Sequence, residues 1–153
     1  MTLIGIISDT HNLLRLEAVN ALKGSDIIIH AGDIGRSEII ERLKNIAPVY
    51  AVRGNIDRSP WGNTLPITDI IEISGKFLYV LHNIHEIDVD PVAAGFDAVI
   101  SGHSHKPNIE NKNGVFFINP GSAGPRRFSL PVTIASLQIV GDSISCDVKE
   151  LVV

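Results

Sequence analysis

The chain is poor in cysteine, in aromatic residues and in positive charge, and each shortage excludes a class of protein. Cys146 is the single cysteine among 153 residues, so no disulfide can form within the chain. Aromatic residues make up 5% of the sequence, which argues against a surface that stacks nucleic-acid bases. The formal net charge is -4, and an acidic chain of this kind is not expected to bind long nucleic acids.

Long hydrophobic runs are missing as well. No segment approaches the roughly 18 consecutive apolar residues that cross a membrane, and the first residues lack a basic stretch followed by a long apolar one. Hydrophobic residues nevertheless make up 44% of the chain, which is enough for an ordinary core. We therefore expect a cytoplasmic protein without a membrane partner, folded as one domain over residues 1–153.

The two halves of the sequence predict different kinds of sheet. In the first half, short apolar runs alternate with segments of helical spacing such as "NLLRLEAVNALKG" and "SEIIERLKN", which predicts parallel strands joined by crossover helices. In the second half, turn pairs at Ser74-Gly75, Asn113-Gly114 and Gly141-Asp142 predict hairpins. A short helix is predicted over residues 90–96. The whole pattern favours a mixed α/β sandwich.

Side chains that can bind metal ions follow five of the predicted strands. In open α/β sheets, ligands bind at the carboxyl ends of the strands, and all of these side chains fall there. Gly32, Gly54 and Gly102 each precede one of them, which predicts a sharp backbone turn that directs the next side chain inward. The candidates are Asp9, His11, Asp33, Asn55, His82, His103 and His105.

Each candidate also has an ordinary structural explanation. Asp9 suits the cap of the following helix, Asp33 and Asn55 are common turn residues, and His82 suits a hydrogen-bonded position at a sheet edge. These explanations do not account for a metal-binding side chain at every strand end. One alternative is a regulator that binds a single metal ion, but this reading leaves Asn55 and His82 unexplained.

The number and type of these donors point to two metal ions. A structural zinc ion takes four ligands, so seven donors suit two ions that share a carboxylate, and we expect the two oxygens of Asp33 to face different ions. Imidazole, carboxylate and amide groups favour Mn, Fe, Co, Ni or Zn over calcium. Two such ions about 3.5–4 Å apart, with a hydroxide between them, promote in-line displacement at phosphorus. Their charge would also hold an anion on an acidic protein.

Six short motifs, in this order, carry a resemblance that spans nearly the whole chain. They resemble the motifs of the calcineurin-like metallophosphoesterases, in particular the small, single-domain, YfcE-like phosphodiesterase group. The resemblance implies a four-layer α/β/β/α sandwich of two mixed β-sheets with a dinuclear metal site at one edge. The motifs are "DTHN", "HAGD", "RGNID", "LHN", "GHSHKP" and "NPGS".

The resemblance also implies roles for individual residues. It implies that Asp9, His11 and His105 bind one ion, that Asn55, His82 and His103 bind the other, and that Asp33 binds both. It marks Asp33, Asn55 and His103 as catalytic, and Asn55 as a phosphate contact. Manganese is the expected metal, with Ni, Fe, Co or Zn as alternatives.

Further residues near these motifs have weaker assignments. Arg126 or Arg127 is expected to contact the phosphate, with a solvated surface position as the alternative. His30 and Asp57 are expected to lie behind the ligands and orient them, although His30 also suits a buried, hydrogen-bonded histidine.

Two positions depart from the family pattern. Ile56 follows Asn55 where many members have a histidine proposed to protonate the leaving group, and isoleucine donates no proton. General acid catalysis is typically worth about 10²- to 10⁴-fold, so we expect a phosphodiesterase that acts on small phosphodiesters rather than a phosphoprotein phosphatase. Asn83 stands where glycine is common, which predicts a strained turn, and His85 is expected at the surface or in the substrate cleft.

A non-enzymatic interaction scaffold is the alternative function, because the retromer scaffold subunit shares this fold. An intact set of metal ligands argues against it, since a scaffold does not need them. The oligomeric state is open between a monomer and a homodimer.

Overall fold

Two five-stranded sheets pack face to face in the structure, a computed structural model that describes residues 1–153. The first sheet has the strand order β10-β9-β1-β2-β3. The second has the order β4-β5-β6-β8-β7. Each contains both parallel and antiparallel pairs, so the predicted sandwich of two mixed β-sheets is confirmed. The strands are β1 (Thr2–Ile7), β2 (Ile27–His30), β3 (Val49–Ala51), β4 (Thr68–Ile73), β5 (Lys76–Leu81), β6 (Ala98–Ile100), β7 (Asn108–Lys112), β8 (Val115–Asn119), β9 (Thr133–Val140) and β10 (Ser143–Glu150).

The first sheet follows the predicted crossover pattern. Strands β1, β2 and β3 are parallel and are joined by α1 (Leu16–Leu22) and α2 (Ser37–Lys44). The apolar faces of both helices pack on the outer side of this sheet in a cluster of 14 buried residues. Neither helix is long and apolar enough to span a membrane.

The main core lies between the two sheets. It contains 15 buried residues, contributed by strands of both sheets or by positions next to them. Ile6 and Ile29 of the first sheet and Leu78, Ile100 and Ile118 of the second are representative, with 0–1% of their surface exposed. This layer fixes the two sheets relative to each other, and therefore fixes the loops at their common edge.

The predicted hairpins are confirmed. Two-residue turns connect Ile73 to Lys76, Lys112 to Val115 and Val140 to Ser143 in register. Both residues have positive φ in the turns Ser74-Gly75 (52° and 78°) and Asn113-Gly114 (54° and 86°). Positive φ at both positions is the geometry of a type I′ turn, whose twist matches that of paired strands.

The fourth layer is not an α-helix. The segment from Ile84 to Phe96 covers the outer side of the second sheet, and Ile84, Ile87 and Phe96 pack on Tyr79 and its buried neighbours. Its one regular element is a 3-10 turn at Ile84–Glu86. The helix predicted over residues 90–96 is wrong, because Gly95 (φ 79°) ends the chain of turns after one helical hydrogen bond, from Ala94 N–H to Asp90 O at 2.9 Å.

Candidate metal centre

The seven candidate ligands meet where the carboxyl ends of strands from both sheets come together. Asp9, His11, Asp33 and Asn55 follow β1, β2 and β3 of the first sheet, and His82, His103 and His105 follow β5 and β6 of the second. Asp9, Asp33, His82 and His105 are buried, with 0–6% exposure, His11 is half-buried, and Asn55 and His103 are exposed. The site therefore has a buried floor and an open side.

The ligand residues themselves make the sharp turns at this edge. Asp9, His11, Asp33, His103 and His105 have φ between 46° and 70°, a left-handed conformation that few residues other than glycine adopt. The preceding glycines were expected to make these turns. Gly32 has a positive φ, whereas Gly54 and Gly102 do not. Glycine is needed at these two positions for lack of space, because a Cβ at Gly54 would collide with Asp33 and a Cβ at Gly102 would collide with Ser8. Strained backbone of this kind is concentrated at functional sites.

One group of donors consists of Asp9, His11 and His105. Their donor atoms lie within 4.8 Å of one another, with His105 Nε2 at 3.4 Å and His11 Nε2 at 3.8 Å from Asp9 Oδ1. Asp9 Oδ1 and His11 Nε2 are buried and have no hydrogen-bond partner. Because buried polar atoms are nearly always satisfied, these atoms fit a bound cation.

A second group contains Asp9, Asp33 and His82, with Asn55 and His103 beside it. His82 Nε2 lies 3.3 Å from Asp33 Oδ2 and 3.9 Å from Asp9 Oδ1. Its Nδ1 donates to the carbonyl of Ala31 at 2.7 Å. This hydrogen bond fixes the tautomer that leaves Nε2 free to bind a metal ion.

The two groups have Asp9 in common, and one oxygen of Asp33 also faces both. Asp33 Oδ2 lies 3.4 Å from His11 Nε2 and 3.3 Å from His82 Nε2. The other oxygen, Oδ1, accepts the backbone N–H of Ile56 at 3.0 Å. The sequence-based expectation that the two oxygens face different ions therefore differs from the geometry, in which a single oxygen faces both groups.

The side-chain amide of Asn55 can be oriented in two ways, one of which suits a site with a bound cation and the other a site without one. Its inward atom lies 3.1 and 3.2 Å from the Asp33 oxygens, 3.0 Å from His82 Nε2 and 3.3 Å from His103 Nδ1. With its nitrogen inward, the amide donates hydrogen bonds to Asp33 and His82. With its oxygen inward, it faces only acceptor atoms, which is a stable arrangement when a cation lies between them.

The aspartates shift the pKa values of the histidines around them. The nearby carboxylates of Asp9 and Asp33 raise the pKa of His11. Burial acts to lower the pKa of His82, but Asp33 and Asp9 outweigh it and raise the pKa. Burial also acts to raise the pKa of Asp33, and the neighbouring His82 together with the hydrogen bond from the Ile56 N–H outweighs it and lowers the pKa. The site thus favours positive charge at its centre, as a cation site must.

Asp9 is held by a neighbour that the sequence did not single out. Ser8 Oγ donates to Asp9 Oδ2 at 2.7 Å, and the backbone N–H of His103 donates to the same oxygen at 3.1 Å. Both bonds occupy Oδ2 and leave Oδ1 directed into the site. No local signal identifies Ser8, because a serine after a buried strand is common.

His30 lies behind the site, as one of its two sequence interpretations expected. Its Nδ1 accepts the N–H of Gly32 at 3.1 Å. Its Nε2 lies 3.0 Å from Thr10 Oγ1, whose hydroxyl donates to the carbonyl of Ile34 at 2.9 Å, so Nε2 is the donor. Burial lowers the pKa of His30 to about 3. A neutral His30 therefore links the loops that carry Asp9 and Asp33.

Asp57 also lies behind the site. Its carboxylate is buried and accepts backbone N–H groups of Ile34, Gly35 and Gly54 at 2.8–3.2 Å. Asp57 therefore ties the loop of Asp33 to the loop of Asn55.

The remaining sequence candidates lie outside the two groups. Arg126 and Arg127 are exposed, and Arg127 is near enough to oppose protonation of His11 and to contribute, after burial, to the lowered pKa of His105. Asn83 is extended (φ -115°, ψ 114°), and its side chain accepts the N–H of His85 at 3.0 Å, so the predicted strained turn is wrong. His85 is exposed and belongs to neither donor group.

A cleft of about 320 Å³ opens on the exposed side of the site. Asn55, His82 and His103 are among the residues that line it. Ile56, 41% exposed, offers no proton donor beside Asp33. A small ester bound to the site would have one arm in this cleft.

Comparison with known proteins identifies the family. Residues 2–142 match the model of the calcineurin-like phosphoesterase superfamily domain. The chain belongs to this superfamily. A probable metallophosphoesterase of Methanothermobacter thermautotrophicus is 32% identical over 158 residues, covering 95% of this chain and 91% of the relative. A probable metallophosphoesterase of Methanocaldococcus jannaschii is 38% identical over 129 residues, covering 78% and 67%.

Several solved structures share the fold. A structure described as a novel archaeal phosphodiesterase has a TM-score of 0.79 and 25% identity, covering 97% of this chain and all of its own. The phosphoesterase YfcE of E. coli has a TM-score of 0.70 and 22% identity, covering 90% and 88%. Vps29 of Chaetomium thermophilum has a TM-score of 0.78 and 17% identity, covering 99% and 97%. The YfcE and Vps29 likenesses concern the fold alone.

Proposed function

We propose that the protein is a metal-dependent phosphodiesterase that hydrolyses small phosphodiesters at a dinuclear centre. The observation that carries the proposal is the pair of buried, unpartnered atoms, Asp9 Oδ1 and His11 Nε2, in a site where seven N and O donors converge. Relatives described as metallophosphoesterases and as a phosphodiesterase support it. We further propose a cytoplasmic location and a single domain over residues 1–153.

The candidate ligands have different proposed roles in metal binding, according to their positions. Asp9, His11 and His105 would hold one ion, Asn55, His82 and His103 the other, and Asp33 Oδ2 would lie between them. The donor set suits first-row divalent ions, and manganese is the metal we propose, with Ni, Fe, Co or Zn as substitutes. When bound, two such ions supply Lewis-acid activation of the ester and of the attacking water.

The open side of the site would receive the substrate. Asn55 and His103 are its exposed members and would orient the phosphate. Arg127, and Arg126 next to it, would approach a phosphate oxygen from the side of His11. Because Ile56 donates no proton, the protein offers the leaving group no proton donor at this position. Esters whose leaving groups depart without protonation are therefore favoured.

The test compares two chromogenic esters under controlled metal content. Hydrolysis of bis(p-nitrophenyl) phosphate and of p-nitrophenyl phosphate is followed after EDTA treatment and then with added Mn or Ni. We expect no activity in EDTA and metal-restored cleavage that favours the diester. Absence of cleavage of either ester with any metal would move the assignment to the scaffold alternative.

The scaffold alternative has the Vps29 likeness as its support. That likeness lies at 17% identity and concerns the fold. A scaffold gives no reason for buried donors without partners, whereas a metal site does.

A further inference from the structure

One wall of the cleft is acidic. Glu86 and Asp88 line it, and both are exposed. Neither carboxylate has an ion-pair partner, since no salt bridge involves it. Arg53 is the one permanently positive side chain in the lining, and its Nη1 donates to the neutral Asn63 Oδ1 at 3.1 Å, so one positive charge stands against two negative ones.

The acidic wall is held in place by packing and capping. The 3-10 turn Ile84–Glu86 begins directly after His82 and Asn83, and the Asn83 side chain caps it. Ile84 and Ile87 pack on the outer side of the second sheet. The backbone that carries Glu86 and Asp88 is therefore held in place a few residues beyond the candidate ligand His82.

The size and chemistry of the cleft limit what can occupy it. A volume of about 320 Å³ accommodates a small organic group. Besides the candidate ligands, the lining contains these two carboxylates and one arginine, the polar side chains of Thr68 and Asn83, and the apolar side chains of Ile67 and Leu81. Carboxylates in a cleft attract a cation and repel an anion, so a second phosphate or a carboxylate on the substrate is disfavoured here.

We propose that the cleft receives an ester arm that carries an ammonium group, so that the preferred substrates are phosphodiesters of amino alcohols. The proposal rests on the proposed function, because the phosphate must be held by Asn55, His82, His103 and the other candidate ligands for the arm to reach Glu86 and Asp88. The substrate would then be a zwitterion, with its phosphate at the metal centre and its ammonium group at the acidic wall.

Two matched esters test the substrate class. p-Nitrophenyl 2-aminoethyl phosphate and p-nitrophenyl ethyl phosphate share the leaving group and the phosphate, and they differ mainly in the ammonium group. At low ionic strength, near neutral pH and with Mn, we expect kcat/KM to be about fivefold higher for the aminoethyl ester, as two partly exposed charge pairs allow. The double variant Glu86→Gln/Asp88→Asn should lose this preference while cleaving the ethyl ester within about twofold of wild type.

A control variant separates local from global charge. Glu38→Gln/Asp142→Asn removes the same two charges from exposed positions outside the cleft and should retain the preference. Equal kcat/KM for the two esters in the wild type, or a preference unchanged by the cleft variant, would overturn the substrate class. Failure to cleave either ester with any metal would instead overturn the proposed function, and the two failures are therefore distinguishable.

Discussion

The carboxylate of Asp57 accepts the backbone N–H of Ile34 with both of its oxygens, at 3.0 and 3.2 Å. The loop that carries Asp33 is thereby held to the loop that carries Asn55. Asp57→Asn would place an NH₂ group against backbone donors, and the two loops would separate. We expect a 10- to 100-fold loss of metal affinity, the usual effect of losing a group that orients ligands.

Calorimetric titration with Mn measures this loss. Asp142→Asn, in the exposed turn between β9 and β10, serves as the control and should bind Mn as the wild type does. An unchanged affinity in Asp57→Asn would show that the two loops hold their positions without this carboxylate.

Asp33→Asn should abolish turnover and leave the fold largely intact. A neutral amide loses the negative charge of the oxygen that faces both donor groups, and Asp33 lies at the edge of the sheet rather than in its core. We expect a loss of about 100-fold or more in kcat, since Lewis-acid stabilisation is worth several kcal/mol. Hydrolysis of bis(p-nitrophenyl) phosphate gives the rate and circular dichroism reports the fold. Rates near those of the wild type in Asp33→Asn would contradict the dinuclear mechanism.

Ile56→His should raise activity on phosphate monoesters. The side chain at position 56 is 41% exposed beside Asp33, so histidine fits without burial and supplies a proton donor where the wild type has none. The gain can reach about 10²-fold, the lower end for general acid catalysis. The measurement is kcat on p-nitrophenyl phosphate and on an alkyl monoester, with Ile56→Gln as a control that cannot donate a proton at neutral pH. Equal activities of the two variants would indicate that cleft geometry limits these substrates.

His30 should make the folded state sensitive to acid. Its pKa is about 3 in the folded protein and about 6.5 in the unfolded chain. Between these values the unfolded chain binds a proton that the folded chain does not, so stability falls as the pH drops from 6.5 towards 3. Between pH 7 and pH 5 this residue accounts for about 2 kcal/mol of lost stability.

Urea unfolding in EDTA isolates this effect from metal binding. His30→Asn keeps an acceptor for Gly32 and does not titrate, so its free energy of unfolding should fall by about 2 kcal/mol less than that of the wild type over the same pH range. His30→Gln, which keeps a donor for Thr10, is the second variant. Parallel pH dependence in all three proteins would contradict a neutral, buried His30.

Local chemistry explains which parts of the fold the sequence predicted. Turn pairs such as Asn113-Gly114 accept positive φ and so mark hairpins directly. The helix predicted over residues 90–96 does not form because Gly95 adopts a positive φ (79°) and ends the segment after one helical hydrogen bond.

The candidate site was predictable in its residue types but not in its geometry. Strand ends of a parallel sheet meet at one edge, so the positions of Asp9 and Asp33 were visible in the sequence. Their left-handed backbones were not, because only tertiary contacts hold a non-glycine residue there. The shared Asp33 Oδ2 likewise depends on the N–H of Ile56, a contact between residues 23 positions apart.

Each donor group draws side chains from both sheets, with His105 or His82 from the second sheet set against aspartates of the first. Bound ions would therefore join the two halves of the sandwich at one edge, where the apolar core does not reach. In a metal-poor cell that edge would open more often and expose its loops to proteases. Metal supply would then set the lifetime of the protein as well as its activity.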